Sequence, residues 1–245
     1  MIKYSKSYSN IFKIKEDYVN HNQKELSQIL KINRFYKKQK KRKSCKICNR
    51  KLEIPTLKSF EIEYFFCTKC NHLNGKYEDT EKFHDYLYSG EQKKYEFGKV
   101  YYKNFSQILK YIHYPKAIFL KQVLKNKKIN LLDLGSGGGH FVKACLDKKI
   151  NAWGVEKNPN LVKFSQKHLK DRIFQSDTVD LIELINSLKV NCLSLIFTLE
   201  HLKDPHYIFN VFKKTNLKYL YIAAPLASPL IFFENIFQKI YPRHL

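Results

Sequence analysis

The stretch Ile129-Asn130-Leu131-Leu132-Asp133-Leu134-Gly135-Ser136-Gly137-Gly138-Gly139-His140-Phe141 reads as an apolar strand that runs into a glycine turn and then into a helix. Four of the eight glycines in the chain lie between Gly135 and Gly139. Glycines at such a turn permit positive φ and let a ligand approach the backbone, at the carboxyl edge of a parallel sheet where ligands bind. A phosphate-binding Walker loop would end in Gly-Lys-Ser/Thr. This one ends in Gly139-His140-Phe141, which disfavours nucleotide triphosphate. The dinucleotide fingerprint G-x-G-x-x-G also fails, because the third glycine comes one position early and an acid, Asp133, stands two before the first.

Downstream the texture alternates between short apolar runs and amphipathic stretches. GHFVKACLDKK is followed by NAWGVE, PNLVKFSQKHL, RIFQSD, TVDLIELINSL, CLSLIFT, a helix over 204–215, and LKYLYIAAP. This is the pattern of βαβ units and predicts an α/β fold with five parallel strands. Glu156 ends the second strand about twenty residues after the glycine turn, where an acid accepts hydrogen bonds from both ribose hydroxyls of an adenosine cofactor. Asp177 closes the third strand, where its position by itself suits the N-cap of the helix that follows.

Upstream, Cys45-x-x-Cys48 and Cys67-x-x-Cys70 are separated by 18 residues, a spacing that sets two thiolate knuckles around one tetrahedral zinc. Each doublet is followed by Asn, at Asn49 and Asn71, a residue that tolerates the positive φ a knuckle requires. Four thiolates leave no open coordination position, so the metal is structural, and His72 is a bystander. Between the doublets FEIEYFF has a hairpin-like alternation. The domain organisation expected is a basic N-terminal helix and tether over 1–43, ending in the run KKQKKRK, then the zinc module over 44–77. A helical bridge over 78–128 follows, with Pro115 opening a helix, and then the cofactor-binding domain over 129–245.

The glycine segment resembles the first motif of the class I S-adenosylmethionine (SAM) dependent methyltransferases, an acid followed by Gly-x-Gly-x-Gly. It is matched here by Asp133, Gly135, Gly137 and Gly139. Thr198-Leu199-Glu200-His201-Leu202-Lys203-Asp204-Pro205 is similar to the Leu-Glu-His-x-x-Asp-Pro stretch that follows the fourth strand in that family. The resemblance covers about residues 129–225 and implies a Rossmann-like fold with SAM as cofactor. It implies that Asp133, Gly135, Ser136, Gly137, Gly139, Glu156, Asp177 and Leu199 line the cofactor site, with Asp133 toward the amino group of SAM. His201 stands at the active-site edge, either as a base on an acceptor hydroxyl or amine or as a group orienting the cofactor loop.

A cysteine-doublet module ahead of this fold resembles bacterial methyltransferases of sugar-nucleotide and surface-polysaccharide metabolism. The expected partner is therefore a small-molecule methyl acceptor, and the Tyr-rich FHDYLYSGEQKKY is suited to stacking on sugars or bases. An RNA methyltransferase is the alternative, since a zinc knuckle and a basic N-terminus could grip phosphates. A catalytically inactive scaffold is the third reading. The family sheet has seven strands, whereas here only the helix SPLIFFENIFQKI and Pro242-Arg243-His244-Leu245 follow the fifth, so the sheet is expected to be truncated.

Composition bounds the rest. With 44% hydrophobic and 15% aromatic residues the chain folds. The formal charge of +23 attracts polyanions without choosing among them, and residues 1–51 hold 16 Lys/Arg against 3 Asp/Glu. Six cysteines without an evident disulfide ladder fit a reducing cytoplasm, and the N-terminus reads as no secretory signal. The longest uncharged apolar run, 219–233, is broken by Pro225 and Pro229 and falls short of the ~20 residues a membrane span needs.

Overall fold

A computed structural model describes residues 22–88, 104–125, 127–224 and 236. The chain divides into two compact units, one within residues 95–202 and 207–224, the other within 17–94 and 203–206.

The larger unit is built on five parallel strands: β4 (Asn130–Leu134), β5 (Asn151–Glu156), β6 (Ile173–Gln175), β7 (Cys192–Ile196) and β8 (Tyr219–Ala223), in the order β6-β5-β4-β7-β8. The chain first steps outward from β4 to β6, then returns to the far side of β4 through β7. The switch point, where open α/β sheets bind ligands, therefore lies at the carboxyl ends of β4 and β7. The strands read as near-continuous apolar runs because both faces are covered. Side chains alternate faces along a strand, so Leu131 joins one core with Phe141, Val142, Cys145 and Leu120. Leu132 joins another with Ile185, Leu193, Ile208 and Val211.

The crossover helices start where the sequence supplies caps. Asn158 caps α6 (Pro159–Leu169) by accepting from Asn160 and Leu161 N–H, with Pro159 in the first turn where its missing N–H costs nothing. Asp180 caps α7 (Leu181–Ser187) through Glu183 N–H at 2.8 Å, so the capping alternative for Asp177 does not hold. The two remaining crossover helices are α5 (His140–Asp147) and α8 (His206–Lys214).

The helix expected to open at Pro115 is present, with the proline in its first turn, and helical structure also precedes it by ten residues. A short α3 (Phe105–Ile108) passes through a π turn, Leu109–His113, into α4 (Tyr114–Val123). Tyr114 N–H bonds back to Leu109 carbonyl, and the wide turn ends just before the residue that has no N–H to donate.

The smaller unit opens with α1 (Asn22–Tyr36) and carries an antiparallel sheet of β1 (Leu57–Ser59), β2 (Ile62–Phe66) and β3 (Leu73–Gly75), followed by α2 (Glu81–Tyr88). Thr80 Oγ1 accepts Phe83 N–H at 3.2 Å and caps α2. The run KKQKKRK, expected to be a tether, is instead tied down. Arg42 N–H donates to Lys76 carbonyl, Glu78 N–H donates to Lys40 carbonyl, and the Arg42 guanidinium reaches Asp79 at 3.1 Å. Backbone pairing and an opposite charge together offset the repulsion within the run. The C-terminal helix expected over SPLIFFENIFQKI, apart from Ile236, lies outside the described residues, as does most of the Tyr-rich FHDYLYSGEQKKY. Among the described residues no helix is long and apolar enough to cross a membrane.

Candidate functional site

The turn after β4 is shaped by three glycines at positive φ: Gly135 at 74°, Gly137 at 56° and Gly139 at 76°. Two of them are also fixed by space. A Cβ on Gly135 would stand 2.6 Å from the Thr198 side chain, and one on Gly139 would stand 2.5 Å from Leu169 Cδ1. A Cβ on Gly137 would meet nothing within 4 Å, so this glycine faces open space. Gly135 and Ser136 N–H both donate to Val155 carbonyl, at 2.8 and 3.0 Å, which holds the turn against β5. Ser136 is 8% exposed, and its hydroxyl is buried with no hydrogen-bond partner among the described residues. A buried hydroxyl of this kind is costly unless a ligand supplies the bond.

Glu156 joins this turn to the next. Its Oε2 accepts Gly137 N–H at 2.7 Å and its Oε1 accepts Asn158 N–H at 2.8 Å, so one carboxylate spans the glycine turn and the N-terminus of α6. Each oxygen keeps a second lone pair, so the carboxylate can still accept hydroxyl donors.

Asp133 is 2% exposed and accepts Ser194 Oγ at 2.7 Å, across the β4–β7 register that pairs these two residues. Burial pushes its carboxyl up to about 7; the Ser194 bond opposes the rise, Glu156 adds to it, and the Lys116 cation opposes it. Lys116, itself 8% exposed, donates to Ile112 carbonyl at 3.0 Å and lies over the Phe197 ring at 5.5 Å. Ser194, Lys116 and Phe197 carry no signal in the sequence, because each acts through a neighbour that only the folded sheet supplies. Phe197 ends the β7 run at φ 56°, in the left-handed region where a bulky side chain is strained, and is 47% exposed.

Leu199 and His201 belong to a single 3-10 turn after β7, with Leu199 packed against the second core and His201 exposed. Asp177 lies in the 3-10 turn Ser176–Thr178 after β6; its side chain is outside the described residues. All of these positions follow the carboxyl ends of parallel strands. The turn thus gathers Gly135, Ser136, Gly137, Gly139 and Glu156 into one bonded cluster, while Asp133, near the end of β4, bonds to Ser194, and Asp177, Leu199 and His201 lie on the same edge.

In the smaller unit, Cys45, Cys48, Cys67 and Cys70 bring four sulfurs within 4.8 Å of one another. Cys45 and Cys70 Sγ are 3.6 Å apart, and Cys48 and Cys67 Sγ are 3.4 Å apart. A tetrahedron with zinc–sulfur bonds of about 2.3 Å has edges of about 3.8 Å, so the set fits that metal. The two knuckles repeat each other. Asn49 and Asn71 both sit at φ 58° and donate to Cys45 and Cys67 carbonyls, while Cys45 and Cys67 N–H donate to Arg50 and His72 carbonyls.

Backbone N–H groups, Cys70's foremost, pull the Cys67 thiol down to about 6. Cys70 is favoured as thiolate by the His72 N–H, yet burial and the other thiols push it up to about 12. Four sulfurs this close resist joint ionisation until a cation stands among them. Asn74, 2% exposed, donates to Cys45 Sγ at 3.5 Å and accepts Lys46 N–H at 2.9 Å, a supporting role that its sequence position did not show.

A glycine turn at the switch point of a parallel sheet, backed by an acid at the end of the second strand, defines the class of α/β domains that bind an adenosine cofactor. The methyltransferase domain family model matches residues 106–236, more than half of the chain, and the chain belongs to that family. It is a SAM-dependent methyltransferase. No curated protein matches. Among solved structures it is similar to a SAM-dependent methyltransferase from Archaeoglobus fulgidus, at 24% identity over 59% of this chain and 68% of that one, with a TM-score of 0.38. It is also similar to the methyltransferase domain of bacterial CtHen1, at 21% identity over 50% of this chain and 72% of that one, with a TM-score of 0.41. A third is the amino pentose methyltransferase CalS10 from Micromonospora echinaspora, at 15% identity over 45% of this chain and 50% of that one, with a TM-score of 0.37.

Proposed function

We propose that the chain methylates an oxygen, nitrogen or carbon nucleophile of a small molecule, a sugar nucleotide or surface-polysaccharide intermediate, with SAM held on the glycine turn. The observation that carries the placement of SAM is Glu156. It is fixed by Gly137 and Asn158 N–H and still has lone pairs to accept the ribose hydroxyls. The open side of Gly137 and the buried Ser136 hydroxyl support the same placement.

The cofactor supplies a methyl group already activated by a sulfonium, so the protein's work is chiefly alignment. Asp133 offers negative charge to the amino group, Glu156 orients the ribose, Asp177 and Leu199 bound the adenine side, and His201 takes the acceptor's proton. Cys45, Cys48, Cys67 and Cys70 hold one structural zinc and form, over 44–77, a module distinct from the cofactor domain. The acceptor is tested by transfer of labelled methyl from SAM into sugar nucleotides. Label entering these and not RNA supports the proposal, and label entering RNA alone overturns it.

The raised Asp133 carboxyl gives this reading a pH signature. A cationic amino group favours the ionised acid, so SAM affinity is expected to rise from about pH 6 to about pH 8 as the carboxyl titrates near 7. Stability moves the other way. The native state holds this proton more tightly than the unfolded chain, so the Asp133 contribution to stability falls as pH climbs from about 4 through about 7. Calorimetric titrations and urea melts across that range check both signs, with Asp133→Asn removing both trends.

A further inference from the structure

At the amino edge of the five-stranded sheet, opposite the glycine turn, two open grooves are lined by lysine. One, of about 690 Å³, is bordered by Lys189, Lys213, Lys214 and Lys218; the other, of about 450 Å³, by Lys121, Lys127, Lys128 and Lys149. No acidic side chain lines either groove among the described residues.

The grooves meet. Asn191 belongs to the first and Asn130 to the second; Asn130 N–H donates to Asn191 Oδ1 at 3.0 Å, and Asn191 N–H donates to Asn130 carbonyl at 3.0 Å. Asn130 Nδ2 donates to Lys189 carbonyl at 3.0 Å, and Lys218 N–H donates to Asn191 carbonyl at 2.9 Å. The amino ends of β5, β4, β7 and β8 thus form one strip about 15–20 Å long, at about 4.8 Å per strand step.

Six described lysines elsewhere form ion pairs, among them Lys37 with Glu61, Lys46 with Asp79 and Lys143 with Asp147. None of the eight strip lysines forms an ion pair among the described residues. Lys149 and Lys189 stand just past the ends of α5 and α7 at φ 61° and 51°, positions where glycine costs least and a side chain is strained. Helix C-termini at this edge attract one cation each through their dipoles, which accounts for a few lysines but not for eight along two walls.

We propose that this strip binds the phosphate backbone of single-stranded nucleic acid without regard to sequence. Facing rows of ammonium groups above an asparagine floor suit a linear phosphodiester chain, which enters a groove as a flat bilayer does not. The one aromatic ring that the strip's described contacts include is Tyr219, at the amino end of β8 under Lys127 Nζ at 5.9 Å, so recognition rests on the backbone more than on stacked bases. A strand held here lies on the edge away from the methyl donor, so the proposal is independent of which acceptor is methylated.

The test is fluorescence anisotropy of a labelled RNA of about 15 nucleotides with the full chain at rising salt. Two variants are compared with wild type: Lys189, Lys213, Lys214 and Lys218 to Gln in the strip, and Lys38, Lys40, Lys41 and Lys43 to Gln in the N-terminal run. Circular dichroism melts confirm that each remains folded. The strip variant is expected to bind at least about tenfold more weakly, with its log–log salt slope lower by about 3, from four contacts at about 0.7 each. The proposal is overturned if the strip variant binds like wild type while the N-terminal variant loses binding. It is equally overturned if wild type binds no RNA, whether or not it binds phosphatidylglycerol vesicles.

Discussion

Replacing Glu156 by Ala is expected to weaken SAM binding by about 100-fold, from two hydrogen bonds to a charged acceptor at about 1.5 kcal/mol or more each. The carboxylate holds Gly137 N–H at 2.7 Å and Asn158 N–H at 2.8 Å, so its loss unties Gly137 from the N-terminus of α6 and leaves two backbone donors without their acceptor, while the Val155 carbonyl still holds Gly135 and Ser136. The ribose loses its acceptor in the same step. Glu156→Gln is the sharper variant. It preserves volume, but its amide nitrogen must face either the Gly137 or the Asn158 N–H, two donors meeting, so affinity is expected to fall nearly as far. Equilibrium dialysis with labelled SAM measures both variants. Near-wild-type affinity in either would place the adenosine elsewhere.

The second large effect concerns the metal. Zinc chelation, or Cys67→Ser, is expected to melt residues 44–77 while the parallel sheet stays folded. The buried core of that segment is small, with Phe60, Ile62 and Phe65 as its main apolar members beside Cys45 and Cys67. A core of that size does not balance the ordering of some thirty residues, whereas structural zinc contributes about 10 kcal/mol or more. Metal analysis is expected to return one zinc per chain for wild type. Hydrogen exchange is expected to show protection lost from β1–β3 on chelation and kept in β4, β5 and β7. Full protection of the small sheet without metal would show that the sulfur cluster does not hold it together.

The sequence made the sheet legible because its strands are buried on both faces and separated by amphipathic helices, a contrast that survives without any structure. The glycine turn was legible for a different reason: Gly135 and Gly139 are the residues that fit their φ and their neighbours, Thr198 and Leu169. The knuckles likewise showed in Asn49 and Asn71, which take the positive φ that their chemistry allows.

Other features depended on contacts between distant residues. The hairpin turn falls at Phe60–Glu61, both at positive φ, where Asn-Gly would be the usual signal. That turn is held from outside: Phe60 is buried, the Asn33 amide donates to its carbonyl at 2.7 Å, and Lys37 pairs with Glu61 at 2.6 Å. The early start of the helix before Pro115 was hidden for a similar reason, since the π turn that accommodates it leaves no compositional mark. At the cofactor edge, Asp133 was visible from its spacing, but its partner Ser194 lies 61 residues away and is joined to it only by the β4–β7 register.

The central claim is that SAM binds on the turn Gly135–Gly139 beneath Glu156, and calorimetric titration of the zinc-loaded wild-type chain with SAM tests it most directly. The account predicts saturable heat with one site per chain, with affinity lowered about 100-fold by Glu156→Ala and also lowered by Asp133→Ala in folded protein. No heat from a folded, zinc-loaded chain, or heat unchanged in both variants, would contradict it.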